Sequence, residues 1–245
     1  MMSIKKCFLF HILFYVFTGH PLMAQFHFVP ATVYLTPSDS LTGWIDEAGW
    51  DKFLGHIRFK TSEKDRYGNF YSPKNIAGFR VSNGGTYQTY KGPLDSTHLL
   101  VVQKLNAKYP APFTDTVFME LVVNGKIKLY QTIDKRGTTH FFFSNEEQLP
   151  EELHYYEFVA YKEGNTRGMY NEVVTQRVER KLFKQQMLGL FSDNQPLYKK
   201  LAETNVHFTR KELTKWFTEY NHSNFPSVKY EMAEPDKTKH GIGGK

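Results

Sequence analysis

The chain has 245 residues, a formal net charge of +6 at pH 7 and an aromatic content of 16%. This length is enough for one or two domains with a substantial core, and the interspersed charges permit contact with anionic surfaces without arguing for it. The single cysteine, Cys7, lies in the N-terminal segment, which excludes disulfides and a cysteine nucleophile from the rest of the chain.

The N-terminal segment has the order of residues that is typical of a secretory signal peptide. Lys5 and Lys6 precede an apolar run over residues 7–17, and Ala24 offers a small residue for cleavage before Gln25. The run is shorter than the about 20 residues that a membrane-spanning helix needs. We therefore expect an exported protein, located in the periplasm, at the outer-membrane periphery or outside the cell, without a transmembrane helix in the mature chain.

Short apolar segments separated by turn residues follow from about residue 28 to residue 161. Their alternation and their content of aromatic and β-branched residues predict strands. The predicted strands are Ala31–Leu35, Leu41–Ile45, His56–Lys60, Ile76–Val81, Thr86–Tyr90, Leu99–Leu105, Val117–Val123, Lys126–Ile133, Thr138–Phe143 and Leu153–Tyr161.

The dipeptide Asn124-Gly125 is the strongest turn signal in this part of the chain. It predicts a two-residue type I′ turn, which needs positive φ at both central positions. Such a turn sets Val122 opposite Ile127. The neighbouring strands then continue as an antiparallel meander, with Leu153–Tyr161 as its last member.

Beyond residue 168 the spacing of apolar residues becomes helical. Asn194 and Pro196 suit the start of a second helix, and Thr209 with Glu212 forms a capping box for a third. The first helix is predicted from the spacing of Val174, Val178, Leu182, Phe183, Met187, Leu190 and Phe191.

The sequence therefore predicts an α+β protein, in which an antiparallel β-meander or sheet domain precedes a small C-terminal helical region. The expected divisions are a signal peptide at 1–24, a β-rich domain at 25–168, a helical region of about three helices at 169–222 and a flexible tail at 223–245.

The sequence lacks the complete motifs of several known kinds of binding and catalytic site. Residues 240–245 carry only the glycines and the lysine of a phosphate-binding loop, without the strand that precedes such a loop. Residues 196–220 have the spacing of a helix-turn-helix, but their clear stripe is apolar, and export separates the protein from cellular DNA. The histidines lack metal-ligand spacing, although His140 and His154 lie on neighbouring predicted strands. We predict no cofactor, no metal, no nucleic-acid partner and no catalytic residue.

Two binding hypotheses remain open. The first is a non-enzymatic module that holds an envelope protein or a glycan through exposed aromatic residues such as Tyr67, Tyr71, Tyr87, Tyr90 and Tyr155. The second is a binder of anionic lipid or polysaccharide, with peripheral outer-membrane association, which uses a basic helical face that would otherwise only be solvated: Arg177, Arg180, Lys181 and Lys184.

A secreted hydrolase with carboxylate catalysis is the alternative from another class. Glu120 is one candidate, because the predicted turn places it on the face of Ile127 and Leu129, where it is either buried with a shifted pKa or simply exposed. The other candidates surround Pro150 in a predicted loop: Glu146, Glu147, Glu151 and Glu152.

Five short motifs follow one another along the chain: SDSLTGWID at 38–46, IRF at 57–59, YSPKNIAGF at 71–79, NGKIKLY at 124–130 and FTRKEL at 208–213. As a set they resemble a family of uncharacterised exported proteins of Bacteroidota, over most of residues 30–222. In that family this region often precedes a C-terminal outer-membrane β-barrel, so the resemblance implies a periplasmic or surface module and no reaction. The chain ends at Lys245, where a barrel would begin, and we expect either a free module or a truncated one.

Overall fold

The computed structural model describes residues 26–36, 38–47, 50, 52–96, 102–104, 111–145, 148–163 and 173–226. The predicted signal peptide, the cleavage site at Ala24 and Gln25, and most of the predicted tail lie outside these residues. The described elements are β1 (Phe28–Thr36), β2 (Asp39–Asp46), β3 (Ile57–Lys60), β4 (Asn69–Tyr71), β5 (Gly78–Val81), β6 (Thr86–Leu94), β7 (Val102–Lys104), β8 (Phe113–Val123), β9 (Lys128–Ile133), β10 (Thr139–Ser144), β11 (Glu151–Leu153), β12 (Tyr156–Glu163), β13 (Val173–Arg180), α1 (Leu182–Leu190), α2 (Gln195–Glu203) and α3 (Arg210–Asn224).

Ten of these strands form one antiparallel sheet in the order β11-β10-β9-β8-β6-β5-β1-β2-β3-β4. A second sheet has the order β13-β12-β7, with β12 antiparallel to β13 and parallel to β7. The three helices pack against the β8–β11 half of the large sheet and share its largest core cluster. The predicted α+β class, with a small C-terminal helical region, is confirmed.

The link between β8 and β9 differs from the predicted type I′ turn. Leu121 pairs with Tyr130 and Val123 pairs with Leu129, with an irregularity between the two pairs. The strands are therefore joined by a longer loop, and the predicted pairing of Val122 with Ile127 is wrong. Among the described residues, positive φ occurs only at Gly137, in the next turn.

A glycine is needed at position 125 because α3 approaches the backbone closely there. A Cβ atom at Gly125 would collide with the Asn221 side chain. Asn221 is fully buried, and its amide makes two hydrogen bonds to one residue of the loop. The Ile127 N–H donates to Asn221 Oδ1 at 3.0 Å, and Asn221 Nδ2 donates to the Ile127 carbonyl at 2.8 Å. This clamp holds α3 against the end of the β8–β9 hairpin.

The region predicted as the first helix contains both a strand and a helix. Residues 173–180 form β13, and the helix begins only at Leu182. Val174 and Val178 are four residues apart, a spacing that fits both a strand and a helix, so the periodicity was ambiguous there. The start of α3 agrees with its predicted cap, because the Thr209 hydroxyl accepts the Glu212 N–H.

The last predicted member of the meander, Leu153–Tyr161, is split in two. Its first residue ends β11 in the large sheet, while β12 belongs to the smaller sheet. Helix α1 closes the outer edge of β11 at this point. Gln186 Nε2 donates to the Glu152 carbonyl at 2.8 Å, and the His154 N–H donates to Gln186 Oε1 at 2.9 Å. One side-chain amide thus occupies the hydrogen-bonding groups that a further strand would use.

Replacing Asn221 with alanine should destabilise the protein strongly. The Asn221→Ala change leaves the buried N–H and carbonyl of Ile127 without their partner, which we expect to lower the free energy of unfolding by about 3 kcal/mol. Urea denaturation followed by circular dichroism measures the change. Asn83→Ala, at an exposed turn residue, is the matched control and should stay within about 0.5 kcal/mol of the wild type. Equal effects of the two changes would refute the clamp.

Candidate functional site

The outer face of β1–β4 carries aromatic and cationic side chains side by side. In β1, β2 and β3 alternate residues are buried in a core cluster, so the residues between them point to the opposite face. The strand register then places one residue of each strand in a single row across the sheet: Phe28, Asp46, Arg58 and Phe70.

Side chains on this face form a continuous series of contacts, which we call the aromatic–cationic ladder: His56, Phe70, Arg58, Phe26, Phe28 and Lys60. The guanidinium carbon of Arg58 lies 4.2 Å from the ring centre of Phe26 and 4.8 Å from that of Phe70. The Lys60 Nζ lies 4.3 Å from the ring centre of Phe28. The rings of His56 and Phe70 are 5.0 Å apart, and those of Phe26 and Phe28 are 6.0 Å apart.

The ladder is open to solvent. Phe70 is 60% exposed and Phe26 is 42% exposed, although both rings are large and apolar. Aromatic side chains, phenylalanine included, and arginine are enriched at the centres of protein interfaces relative to the rest of the surface. The alternation of Ile57–Lys60 indicates that Arg58 and Lys60 face outward, but the contacts with Phe26 and Phe70 depend on the strand pairing, which the sequence analysis missed.

Four of the five tyrosines predicted to be exposed are instead half-buried. Tyr67 is 66% exposed, as predicted. The other four pack against core rings: Tyr71 on Phe59, Tyr87 on Phe79, Tyr90 on Phe142 and Tyr155 on Phe183. Part of each of these four side chains therefore contributes to the core.

Glu120, the first candidate for carboxylate catalysis, lies in an ion pair with the N-terminal residue of α3. Arg210 donates through both terminal nitrogens to the two Glu120 oxygens, each at 2.6 Å, and also to Gln131 Oε1 at 3.2 Å. The hydrogen bonds that Arg210 donates to Glu120 raise the pKa of Arg210 above its usual value. Both Glu120 oxygens are occupied, so the carboxylate serves to hold α3 on the sheet.

Glu152, the second candidate, takes part in a buried polar cluster. Its Oε1 lies 2.6 Å from His140 Nδ1, and its Oε2 accepts the Asp95 N–H at 2.9 Å. The other ring nitrogen of His140 lies 3.5 Å from Asp134 Oδ2 without a hydrogen bond. His140 is only 2% exposed, so no substrate reaches its ring. His154 pairs with a different residue from His140: its Nδ1 lies 3.7 Å from Asp95 Oδ2.

Asp134 is the fully buried acid of this cluster. Its Oδ1 accepts the backbone N–H groups of Arg136 and Thr138, and its Oδ2 accepts the Arg136 side chain at 2.7 Å. Burial alone would raise the pKa of Asp134, but the hydrogen bonds from Thr138 and Arg136 outweigh it and hold the pKa below its usual value. Arg136 also donates to the Asp95 carbonyl, which ties the β9–β10 turn to the segment after β6.

The remaining glutamates of the predicted acidic group do not converge on a site. Glu151 is exposed and accepts a hydrogen bond from Gln186 Nε2 at 3.0 Å. Glu146 and Glu147 lie outside the described residues. The structure therefore brings no pair of these carboxylates together across a cleft within the part of the chain that it describes.

The predicted basic helical face is not formed by Arg177, Arg180, Lys181 and Lys184. The two arginines lie in β13, Lys181 precedes α1, and only Lys184 lies within that helix. Arg177 pairs with Glu157. Lys184 Nζ donates to the carbonyls of Ala202 and Thr204 at the end of α2, so its charge is directed at a helix terminus.

Over the described residues, no helix combines the length and the apolar character needed to cross a membrane, and no group of three or more His, Cys, Asp or Glu side chains is arranged to hold a metal ion. The chain matches no protein-family model, no curated protein and no solved structure. The resemblance to exported Bacteroidota proteins therefore stays a prediction.

Asp134 should make the stability of the protein sensitive to acid. A carboxyl group whose pKa is lowered by folding contributes stability above its unfolded-state value, 3.8, and this contribution is lost as the pH falls through the lower folded-state value. We expect Asp134→Asn to be less stable than the wild type at about pH 7 and to lose less stability on acidification. Urea unfolding at a series of pH values down to about pH 3 measures both effects.

Asp39→Asn, at an exposed position in β2, is the matched control and should follow the wild-type profile. If the Asp134 variant keeps the full acid dependence of the wild type, the stabilising role of the buried carboxylate is wrong.

Proposed function

We propose that this protein is an exported cell-envelope protein that acts as a non-enzymatic binding module, and that it holds its partner through the aromatic–cationic ladder. The observation that carries this proposal is the exposure of Phe26 and Phe70 around Arg58 on an open sheet face. Removing the apolar surface of these rings from water is favourable, so the hydrophobic effect stabilises a complex in which a partner covers them.

The ladder is suited to binding because its side chains are already ordered. The cation–ring contacts fix Arg58 and Lys60 against neighbouring rings, and each contact of this kind contributes about 0.5–1 kcal/mol at an exposed site. Lys60 Nζ also donates to the carbonyls of Glu63 and Asp65, at 2.9 and 3.0 Å. Side chains held in this way lose little conformational entropy when a partner binds.

Placement in the envelope is supported by the sequence. The signal-peptide pattern ending at Ala24 favours export, and the family resemblance favours a module linked to the outer membrane of Bacteroidota. Glu120 is paired with Arg210, and Glu152 is paired with the buried His140, so neither of these two carboxylates supports the hydrolase alternative.

Removing the exposed rings of the ladder should abolish partner binding. We expect the tagged mature chain to retain an envelope component from a detergent extract of the native host, and the double variant Phe26→Ala/Phe70→Ala to lose at least about nine-tenths of it, since exposed anchor residues dominate such interfaces. Quantitative pull-down measures the retained fraction.

Tyr198→Ala is the matched control, because Tyr198 is also exposed but lies in α2, far from the ladder in the chain. This variant should bind as the wild type does. Retention by the double variant, or no component above the level of an untagged control, would contradict the proposal.

A further inference from the structure

Arg58 has two rings as neighbours, whereas three other arginines among the described residues pair with carboxylates. Arg210 pairs with Glu120, Arg136 pairs with Asp134 and Arg177 pairs with Glu157. The Arg58 guanidinium instead contacts Phe26 and Phe70. Within the described part of the chain, it makes no hydrogen bond and no ion pair.

The unused donors of Arg58 are suited to an oxyanion. A guanidinium group carries five N–H donors in a rigid planar arrangement, which matches a carboxylate or sulfate through two parallel hydrogen bonds. Arg58 is half-buried and its position is fixed by rings on two sides, one just before β1 and one in β4. A half-buried cation with ordered but unused donors gains more from an anionic ligand than a fully solvated one.

Lys60 provides a second fixed charge on the same face. It lies two residues from Arg58 in β3, so the two cations leave the strand about 7 Å apart. The Lys60 ammonium is held by two backbone carbonyls, and neither neutralises its charge. Asp46 is the acidic residue in the row, and its carboxylate accepts the backbone N–H of His27. The face therefore presents two ordered cations and the carboxylate of Asp46 beside exposed rings.

The shape of the face favours a sugar chain over a peptide or a lipid surface. An extended peptide binds by pairing with a strand edge, and the edge strand β4 has only three residues. Insertion into lipid needs apolar side chains that project together, whereas the exposed rings here contact cations. A sugar ring has an apolar C–H face that covers an aromatic ring, and an acidic sugar places a carboxylate beside that face.

We propose that the ligand of the ladder is an acidic polysaccharide, whose sugar rings cover Phe26 and Phe70 while an anionic group binds the N–H edge of Arg58. This inference rests on the binding function proposed above and specifies its partner class. Arg58 selects for the charge, and the two phenylalanines supply the apolar contact.

The test is binding of the mature chain to a panel of acidic polysaccharides, namely polygalacturonate, alginate and chondroitin sulfate, by isothermal titration calorimetry. Methyl-esterified polygalacturonate, with the same sugar backbone but no charge, is the matched ligand. We expect at least one acidic polymer to bind, Arg58→Gln to weaken that binding by about tenfold or more, and higher salt to weaken it further. The methyl ester should not bind.

Arg66→Gln is the matched protein variant, because it removes the same charge from an exposed arginine in the β3–β4 loop outside the ladder. It should bind within about twofold of the wild type. Phe70→Ala, at an exposed side chain, should weaken binding as well. Circular dichroism of each variant confirms that the fold is retained.

Three results would overturn the inference. They are no acidic polysaccharide bound in an Arg58-dependent manner, equal binding of the methyl ester, and equal Arg58-dependent binding of polyglutamate or of vesicles that contain anionic lipid. In each case the ladder still stands as a binding surface if the Phe26→Ala/Phe70→Ala variant loses its envelope partner. If that variant keeps the partner, the proposed function itself fails.

Discussion

The fold depends on one buried amide, that of Asn221, which replaces the hydrogen bonds that the loop backbone at Ile127 would otherwise make to water. This contact brings α3 onto the sheet and allows its apolar side chains to join those of β8–β11 in the largest core cluster. Helices α1 and α2 share this core cluster with α3, and α1 has a second attachment to the sheet through Gln186. A polar interaction thus decides where the apolar surfaces meet.

The two ends of the large sheet are finished in different ways. At the β11 end, helices cover the sheet and the cluster of Asp134, His140 and Glu152 is closed to solvent. At the β1–β4 end, one face is buried in a core cluster and the other presents the aromatic–cationic ladder. At the first end Asp134 and Glu152 are hydrogen-bonded by protein groups, whereas at the second end Arg58 makes no hydrogen bond to another described residue.

The sequence predicts those features that depend on a few neighbouring residues. It does not predict features that depend on contacts between residues far apart in the chain. Alternation located most strands, and the Thr209 cap located α3, because both patterns act over a few residues. The sequence predicts a type I′ turn at Gly125, but the glycine is needed there because α3 approaches closely. The contact is with Asn221, which lies 94 residues after Ile127. The ladder was missed for the same reason, because Phe26, Arg58 and Phe70 meet only after strand pairing.

The Gln186 amide at the edge of β11 also bears on self-association. A sheet grows by adding strands to free backbone groups, and here a side chain anchored in a packed helix already uses them. A second copy of the chain would have to displace α1 from the core before it found those groups. At high protein concentration this end of the sheet is therefore protected from fibre-like growth.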